Sequence, residues 1–163
     1  MTIVVKNKQS LFFDDFKFDC CIGKKGLTKN KLEGDKKTPI GFYSLGNLYY
    51  RADRVKKPET SLKCIKIKKS MGWCNDINNK LYNKKIKIKK KVKYEKLFRN
   101  DYKYNYFIPI KYNWQKPEKN KGSAIFIHLT KKYNPTAGCI ALSLKDLLIL
   151  AKLIKKNTKI NIV

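Results

Sequence analysis

Histidine is almost absent from this chain: His128 is the only one among 163 residues. That excludes a metal centre built on several imidazoles and leaves a single side chain whose ordinary titration lies near neutral pH. The five cysteines, Cys20, Cys21, Cys64, Cys74 and Cys139, are odd in number and contain no Cys-x-x-Cys, so neither a disulfide framework nor a zinc knuckle is suggested. Their pattern fits a reducing compartment, and no cofactor or metal is implied. Long apolar runs are missing as well. The N-terminus has only three apolar residues together, Ile3 to Val5, before charge returns, too few for a signal-peptide core. No stretch approaches the roughly 20 apolar residues of a membrane span. The expectation is a soluble cytoplasmic protein, or a periplasmic one if the sequence is a trimmed mature form.

Acidic residues are scarce, 12 against 39 basic, which gives a formal net charge of +27. Such a surface attracts polyanions, whether nucleic acid, anionic lipid or carboxylate-rich wall polymer. Arginine is scarce too, only Arg51, Arg54 and Arg99, whereas nucleic-acid readers favour its planar fork. A coding bias towards lysine would produce the same composition with no partner at all. Between Lys84 and Trp114 lysines alternate with Tyr94, Phe98, Tyr102, Tyr104, Tyr106, Phe107 and Tyr112, a pattern that can stack bases and bind phosphates. It equally describes strands with lysines outward and aromatics inward. No recognised nucleic-acid motif accompanies it, so a basic nucleic-acid-binding β domain stands as the rival class and no specific nucleic-acid partner is expected.

What is present is a folded composition, 42% hydrophobic and 12% aromatic, over a length suited to one domain spanning residues 1–163. Alternation at Cys64–Lys68 and Lys85–Lys89 predicts half-buried strands, and Lys159–Val163 a last strand. Phe107–Ile110 reads as a strand that Pro109 pushes towards an edge or a bulge. Ala124–Leu129 is apolar on both faces, as in a central strand covered on each side. Leu144, Leu147, Leu148, Ala151 and Ile154 recur at helical spacing, with Leu150 and Leu153 widening the stripe. Ser143 and Asp146 supply a start signal, so one amphipathic helix is predicted near 143–156. Glu95–Arg99 suggests a second short helical turn. The fold class is mostly β with one C-terminal helix. Oligomeric state leaves no mark in the sequence.

The sharpest chemical signal is the central strand carrying His128, a polar loop Thr130–Pro135, and then Thr136-Ala137-Gly138-Cys139. A thiol needs a neighbouring base or cation to react as thiolate at neutral pH, and His128 is the only imidazole available. Gly138 lets the backbone approach a substrate, so its N–H and that of Cys139 are candidates to bind an oxyanion. The blander reading is a satisfied core histidine and an inert buried cysteine.

Gly122–Leu129 followed by Thr136–Leu142 resembles the catalytic motif of the L,D-transpeptidase (YkuD-like) domain family, in its short single-domain branch. Further segments resemble it in the same order: Gly23–Thr28, Lys31–Gly41, Tyr49–Arg54, Gly72–Asp76, Tyr82-Asn83 and Tyr112-Asn113. The resemblance implies a β-rich sandwich fold and a cysteine acyltransferase acting on peptidoglycan stem peptides or muropeptides. A thioester would form on Cys139 with release of a terminal D-amino acid. An amine acceptor then gives transpeptidation, whereas water makes the protein an L,D-carboxypeptidase. Carried over by position, His128 is the general acid/base, Cys139 the nucleophile and Gly138 part of the oxyanion hole. Ser123, Thr136, Ala137, Arg51, Arg54 and Trp73 are substrate-binding candidates. Where many members carry a second histidine and an arginine or asparagine around the Gly-Cys, this chain has Ala137 and Ala141. A carboxylate anchor would then come from Arg51, Arg54 or Lys131. No carboxylate is expected beside the cluster, so a backbone carbonyl or the hydroxyl of Ser123 or Thr136 would orient His128.

Overall fold

A computed structural model describes residues 1–6 and 9–163. The N-terminal strands are Thr2–Lys6 (β1), Ser10–Phe13 (β2) and Phe16–Cys21 (β3). They are followed by Leu27–Thr28 (β4), Thr38–Pro39 (β5), Gly41–Ser44 (β6), Leu48–Tyr50 (β7) and Cys64–Lys66 (β8). Next come Met71–Cys74 (β9), Lys85–Lys87 (β10), Tyr94–Lys96 (β11), Tyr106–Pro109 (β12), Phe126–Leu129 (β13) and Ile140–Leu142 (β14). A single helix among the described residues, Leu144–Leu153 (α1), precedes the last strand Lys159–Ile162 (β15).

Ten strands form one curled sheet in the order β6-β15-β1-β2-β3-β14-β13-β12-β7-β8. A three-stranded sheet, β10-β9-β11, and the β4-β5 pair complete the β structure. Alternation divides the large sheet into two apolar faces. Ile125, Ile127, Leu129, Ile140 and Leu142 join Ile3, Val5, Leu11, the buried side of α1 (Leu147, Leu150, Ala151) and Ile154 just after it in one core. The opposite face carries Phe126, Phe107, Tyr49, Tyr104 and Cys139, closed over by Trp73 and Leu97.

Strand β13 occupies the predicted central place. All four residues are buried, with β14 parallel on one side and β12 antiparallel on the other. The proline in β12 does not put that strand at an edge, because β12 lies between β13 and β7. Pro109 is its last residue and lies beyond Tyr106 and Phe107, which alone pair with β7, so its missing N–H breaks no ladder there. The predicted turn at Glu95–Arg99 is also corrected: Tyr94–Lys96 is extended and pairs with β9, Glu95 opposite Trp73. Pairing with β9 overrides a weak local helical preference.

The helix begins as its sequence signals: Ser143 accepts the Asp146 N–H at 3.1 Å on its side-chain oxygen. It ends earlier than predicted, since Ile154 is already extended and Lys155 donates its N–H to Thr158 Oγ1 at 2.8 Å. Leu144, read as part of the stripe, is half exposed in the first turn, and Leu147, Leu150 and Ala151 carry the burial. No helix among the described residues is long and apolar enough to cross a membrane.

Candidate active site

In the parallel β13–β14 pair His128 lies opposite Ala141, so Cys139, two residues before Ala141, shares a sheet face with His128. Both side chains line a cleft of about 390 Å³ together with Ala124, Tyr104, Thr136 and Gly138. The two candidate groups are therefore positioned by neighbouring strands, and the Thr130–Pro135 loop rims the opening.

Cys139 is buried, and its Sγ is held by backbone. It donates to the Ala124 carbonyl at 3.2 Å and accepts the Phe126 N–H at 3.3 Å. Among the described residues no hydrogen bond joins it to the imidazole. Burial, followed by the nearby Glu95 charge, pushes the thiol pKa up to about 12. His128 Nδ1 lies 2.8 Å from its neighbour's carbonyl, Leu129 O. A carbonyl can only accept, so the proton belongs on Nδ1 and the lone pair on Nε2. Burial drives its pKa down to about 4; the Leu129 carbonyl opposes that, and the Lys103 and Arg99 charges add to it. The resting pair is thus thiol and neutral imidazole.

The turn before the cysteine is tightly specified. Gly138 has φ +143°, and a Cβ there would sit 2.8 Å from the Lys37 carbonyl. Thr38 Oγ1 donates to Gly138 O at 2.8 Å and accepts the Gly23 N–H at 2.8 Å, tying the turn to the Gly23–Gly41 segment. Thr136 Oγ1 donates to Cys139 O at 2.6 Å and accepts the Gly138 N–H at 3.1 Å. The Cys139 N–H makes no backbone hydrogen bond among the described residues, which leaves it as the freer of the two backbone donors.

The segment that leads into β13 and carries Cys139's acceptor, Ala124, is anchored by buried polar side chains. Asn83, buried, accepts from Trp73 Nε1 at 2.9 Å and from the Ala124 N–H at 3.0 Å, and donates to the carbonyls of Tyr112 and Asn113. Beside it, Glu33 accepts from Tyr82 and, at 2.8 Å, from Ser123 Oγ, while Tyr82 Oη accepts the Gly122 N–H at 3.0 Å. Motifs scattered through the sequence therefore meet at the entrance to β13.

A cysteine and a histidine on one face of adjacent strands, with a glycine turn feeding the cysteine, match the pattern read from the sequence. The profile of the L,D-transpeptidase catalytic domain matches residues 1–162. The chain belongs to this family. No curated protein and no solved structure matches it.

Within this L,D-transpeptidase domain the sequence-predicted residues separate into two groups. Cys139, His128, Gly138, Ser123, Thr136, Ala137 and Lys131 line the cleft. Arg51, Arg54 and Trp73 do not. Arg51 is buried between Phe98, whose ring its guanidinium covers at 3.4 Å, and the Asp53 carboxylate. Arg54 donates to the carbonyls of Asn100 and Asp101. Trp73 is core, packed edge-on against Phe126 at 5.0 Å. The hydroxyls of Ser123 and Thr136 are committed to Glu33 and the Cys139 carbonyl, so the backbone carbonyl of Leu129 orients His128.

Sequence reasoning missed five charged residues in the cleft wall: Lys31, Glu33, Glu95, Arg99 and Lys103. The expectation that no carboxylate lies near the motif is therefore corrected. Glu95 is more than 30 residues from His128 in sequence, and reading it as helical hid the strand that turns it inward. Its carboxyl accepts a hydrogen bond from Tyr104, whose ring stands edge-on to the His128 imidazole at 5.3 Å. Burial raises the Glu95 pKa.

Proposed function

We propose that the chain is a cysteine acyltransferase acting on peptidoglycan stem peptides or muropeptides, with Cys139 as nucleophile and His128 as general acid/base. The observation that carries the reading is the placement of Cys139 and His128 on one face of paired strands, both opening into the same cleft. On substrate binding the thiol proton turns from the Ala124 carbonyl to Nε2 of His128, and Sγ attacks the carbonyl before a terminal D-amino acid. The Cys139 N–H, joined by the Gly138 N–H as Thr136 yields it, receives the oxyanion. The imidazolium returns its proton to the departing amine, leaving a thioester on Cys139. Arg99, Lys103 and Lys131 on the cleft wall supply the cationic anchor for the donor's carboxylate, a role for which Arg51 and Arg54 are not placed.

An amine acceptor completes transpeptidation or exchanges the terminal residue; water makes the protein an L,D-carboxypeptidase. Hydrolysis competes most where the chain meets recycled muropeptides in the cytoplasm rather than cross-linkable wall. The deciding experiment incubates a tetrapeptide muropeptide with the protein, with and without a D-amino acid, beside Cys139→Ala, and reads products by mass spectrometry. Loss or exchange of terminal D-alanine that disappears in the variant supports the reading. No reaction in the native protein would remove the substrate assignment.

A further inference from the structure

Glu95 is an unusual group to find beside a cysteine nucleophile in a chain of net charge +27. Its carboxyl faces the same cleft as Cys139 and His128. One oxygen accepts the Tyr104 hydroxyl; the other has no hydrogen-bond or ion-pair partner among the described residues. That oxygen is not a buried orphan, since among the described residues only Asn105 Oδ1 is one; it is an acceptor left open to the cleft, where a cationic donor can reach it. The neighbouring cation does not fill the gap. The Arg99 guanidinium lies over the Tyr104 ring at 5.0 Å and gives its hydrogen bonds to Asp101 at 2.5–3.2 Å. Glu33, the other carboxylate of the cleft, takes both Tyr82 and Ser123 on Oε2 at the entrance to β13, whereas the partner of Glu95, Tyr104, lies against the His128 imidazole.

We propose that Glu95, held by Tyr104, is the binding site for the ammonium group of the amine that takes the acyl group from Cys139, and that its carboxylate removes that amine's surplus proton. This rests on the acyl-transfer reading above and deepens it, because it makes an amine rather than water the acceptor for which the cleft is built. The proton balance is complete. The incoming ammonium gives one proton to Glu95 and becomes a free amine, which attacks the thioester carbonyl. As the tetrahedral adduct collapses the amine's second proton passes through His128 to the departing sulfur, restoring the thiol and neutral imidazole. Glu95 then releases its proton to solvent. Groups facing the carboxylate act in opposing senses: burial and Glu33 raise its proton affinity, whereas the Tyr104 hydroxyl and Arg99 lower it. The net upward direction suits a base that must receive a proton from an ammonium.

Glu95→Gln keeps the shape and the Tyr104 contact and removes the charge. With a tetrapeptide muropeptide as donor and labelled D-alanine as acceptor, the variant's exchange and hydrolysis are read in one reaction, so that any change in acylation of Cys139 cancels. The ratio of exchange to hydrolysis should fall about tenfold or more, the scale of one charged hydrogen bond. Tyr104→Phe should give a smaller change in the same direction. An unchanged ratio, or equal loss of hydrolysis and exchange in a folded variant, would overturn the proposal. A second measurement does not depend on turnover. D-alanine amide, which carries the ammonium, should shift the amide resonances of Tyr104 and Ala124 saturably, N-acetyl-D-alanine amide should not, and Glu95→Gln should weaken the first titration at least fivefold. Glu95-dependent titration with no muropeptide turnover would sink the substrate assignment and leave the subsite standing. Absence of any such titration would sink the subsite.

Discussion

The Asn83 side chain holds the Ala124 N–H at 3.0 Å, and Ala124 in turn offers its carbonyl to the Cys139 thiol at 3.2 Å. Ala124 has φ +52°, a left-handed backbone that a residue with a Cβ adopts only at a cost. Asn83 therefore does more than satisfy polar groups in the core. It fixes the residue whose carbonyl positions the candidate nucleophile, while its amide nitrogen ties down Tyr112 and Asn113. Asn83→Ala strands the buried Trp73 Nε1–H and the Ala124 N–H without acceptors. A stability loss of about 2–4 kcal/mol is expected in urea unfolding. D-alanine release should fall further than the unfolded fraction explains. A variant with native stability and native turnover would show that water replaces the amide without consequence.

Gly138→Ala tests the turn itself. Positive φ and a Cβ forced to 2.8 Å from the Lys37 carbonyl both oppose the substitution, and the atom it meets is backbone rather than a movable side chain. The expected cost is about 1–3 kcal/mol in unfolding free energy. Activity should fall on the order of a hundredfold, because the Cys139 N–H and Sγ move together. Ala137→Gly, one residue earlier at an exposed position, should cost much less in unfolding free energy. Equal effects at the two positions would mean that flexibility of the loop, not the Gly138 geometry, governs the site.

Much of this architecture was legible from periodicity. The apolar run Ala124–Leu129 marked the central strand, Ser143 and Asp146 marked the start of the helix, and the strand–loop–Gly-Cys order marked the candidate pair. What was not legible depends on long-range pairing. Glu95 looked helical in its own neighbourhood, and only the register with β9 turns its carboxyl to the cleft. Pro109 argued for an edge, because local sequence cannot reveal that β7 stops pairing before the proline is reached. Arg51 and Arg54 looked like free cations, yet their partners on Phe98–Asp101 lie nearly 50 residues away. Charged side chains were the least readable class, since a lysine or arginine has the same sequence appearance whether it is spent or available.

Lys31 illustrates that point and yields an asymmetry. Its ammonium is buried, 2.5 Å from Asp35 and 2.7 Å from the Leu32 carbonyl, while its stem packs against the Gly122 and Gly138 backbone. Asp35 also accepts the N–H groups of Leu32 and Lys37 at 2.9 Å. Burial opposes its ionisation, but those bonds together outweigh it and hold its pKa below the ordinary value. Asp35→Asn leaves a buried cation without its counter-charge and is expected to cost about 3 kcal/mol or more. Lys31→Met keeps the stem's volume and leaves Asp35 its two backbone donors, so its cost should be clearly smaller. Urea titrations at neutral pH measure both. Below pH about 4 the Asp35 contribution fades as the carboxyl protonates, so the gap between native protein and Asp35→Asn should narrow on acidification. Equal costs for the two variants would show that the pair acts by packing rather than by charge.

The depressed pKa of His128 has consequences for both stability and the proposed acyl transfer. Its folded value of about 4 lies below the ordinary 6.5, so between these limits the unfolded chain binds a proton that the folded chain refuses. Stability contributed by the neutral ring is full above pH 6.5 and is lost as pH falls towards 4, about 3 kcal/mol in all. His128→Asn removes the titration, so the difference between native and variant unfolding free energies should slope with pH across that window and flatten outside it. The same shift predicts kinetics. Acylation of Cys139 requires Nε2 unprotonated, so kcat/KM for D-alanine release should hold its plateau down to about pH 5 and show its acid limb near 4. A limb near 6.5 would mean that the imidazole is solvated when substrate arrives. The buried, neutral thiol–imidazole pair would then belong only to the empty cleft.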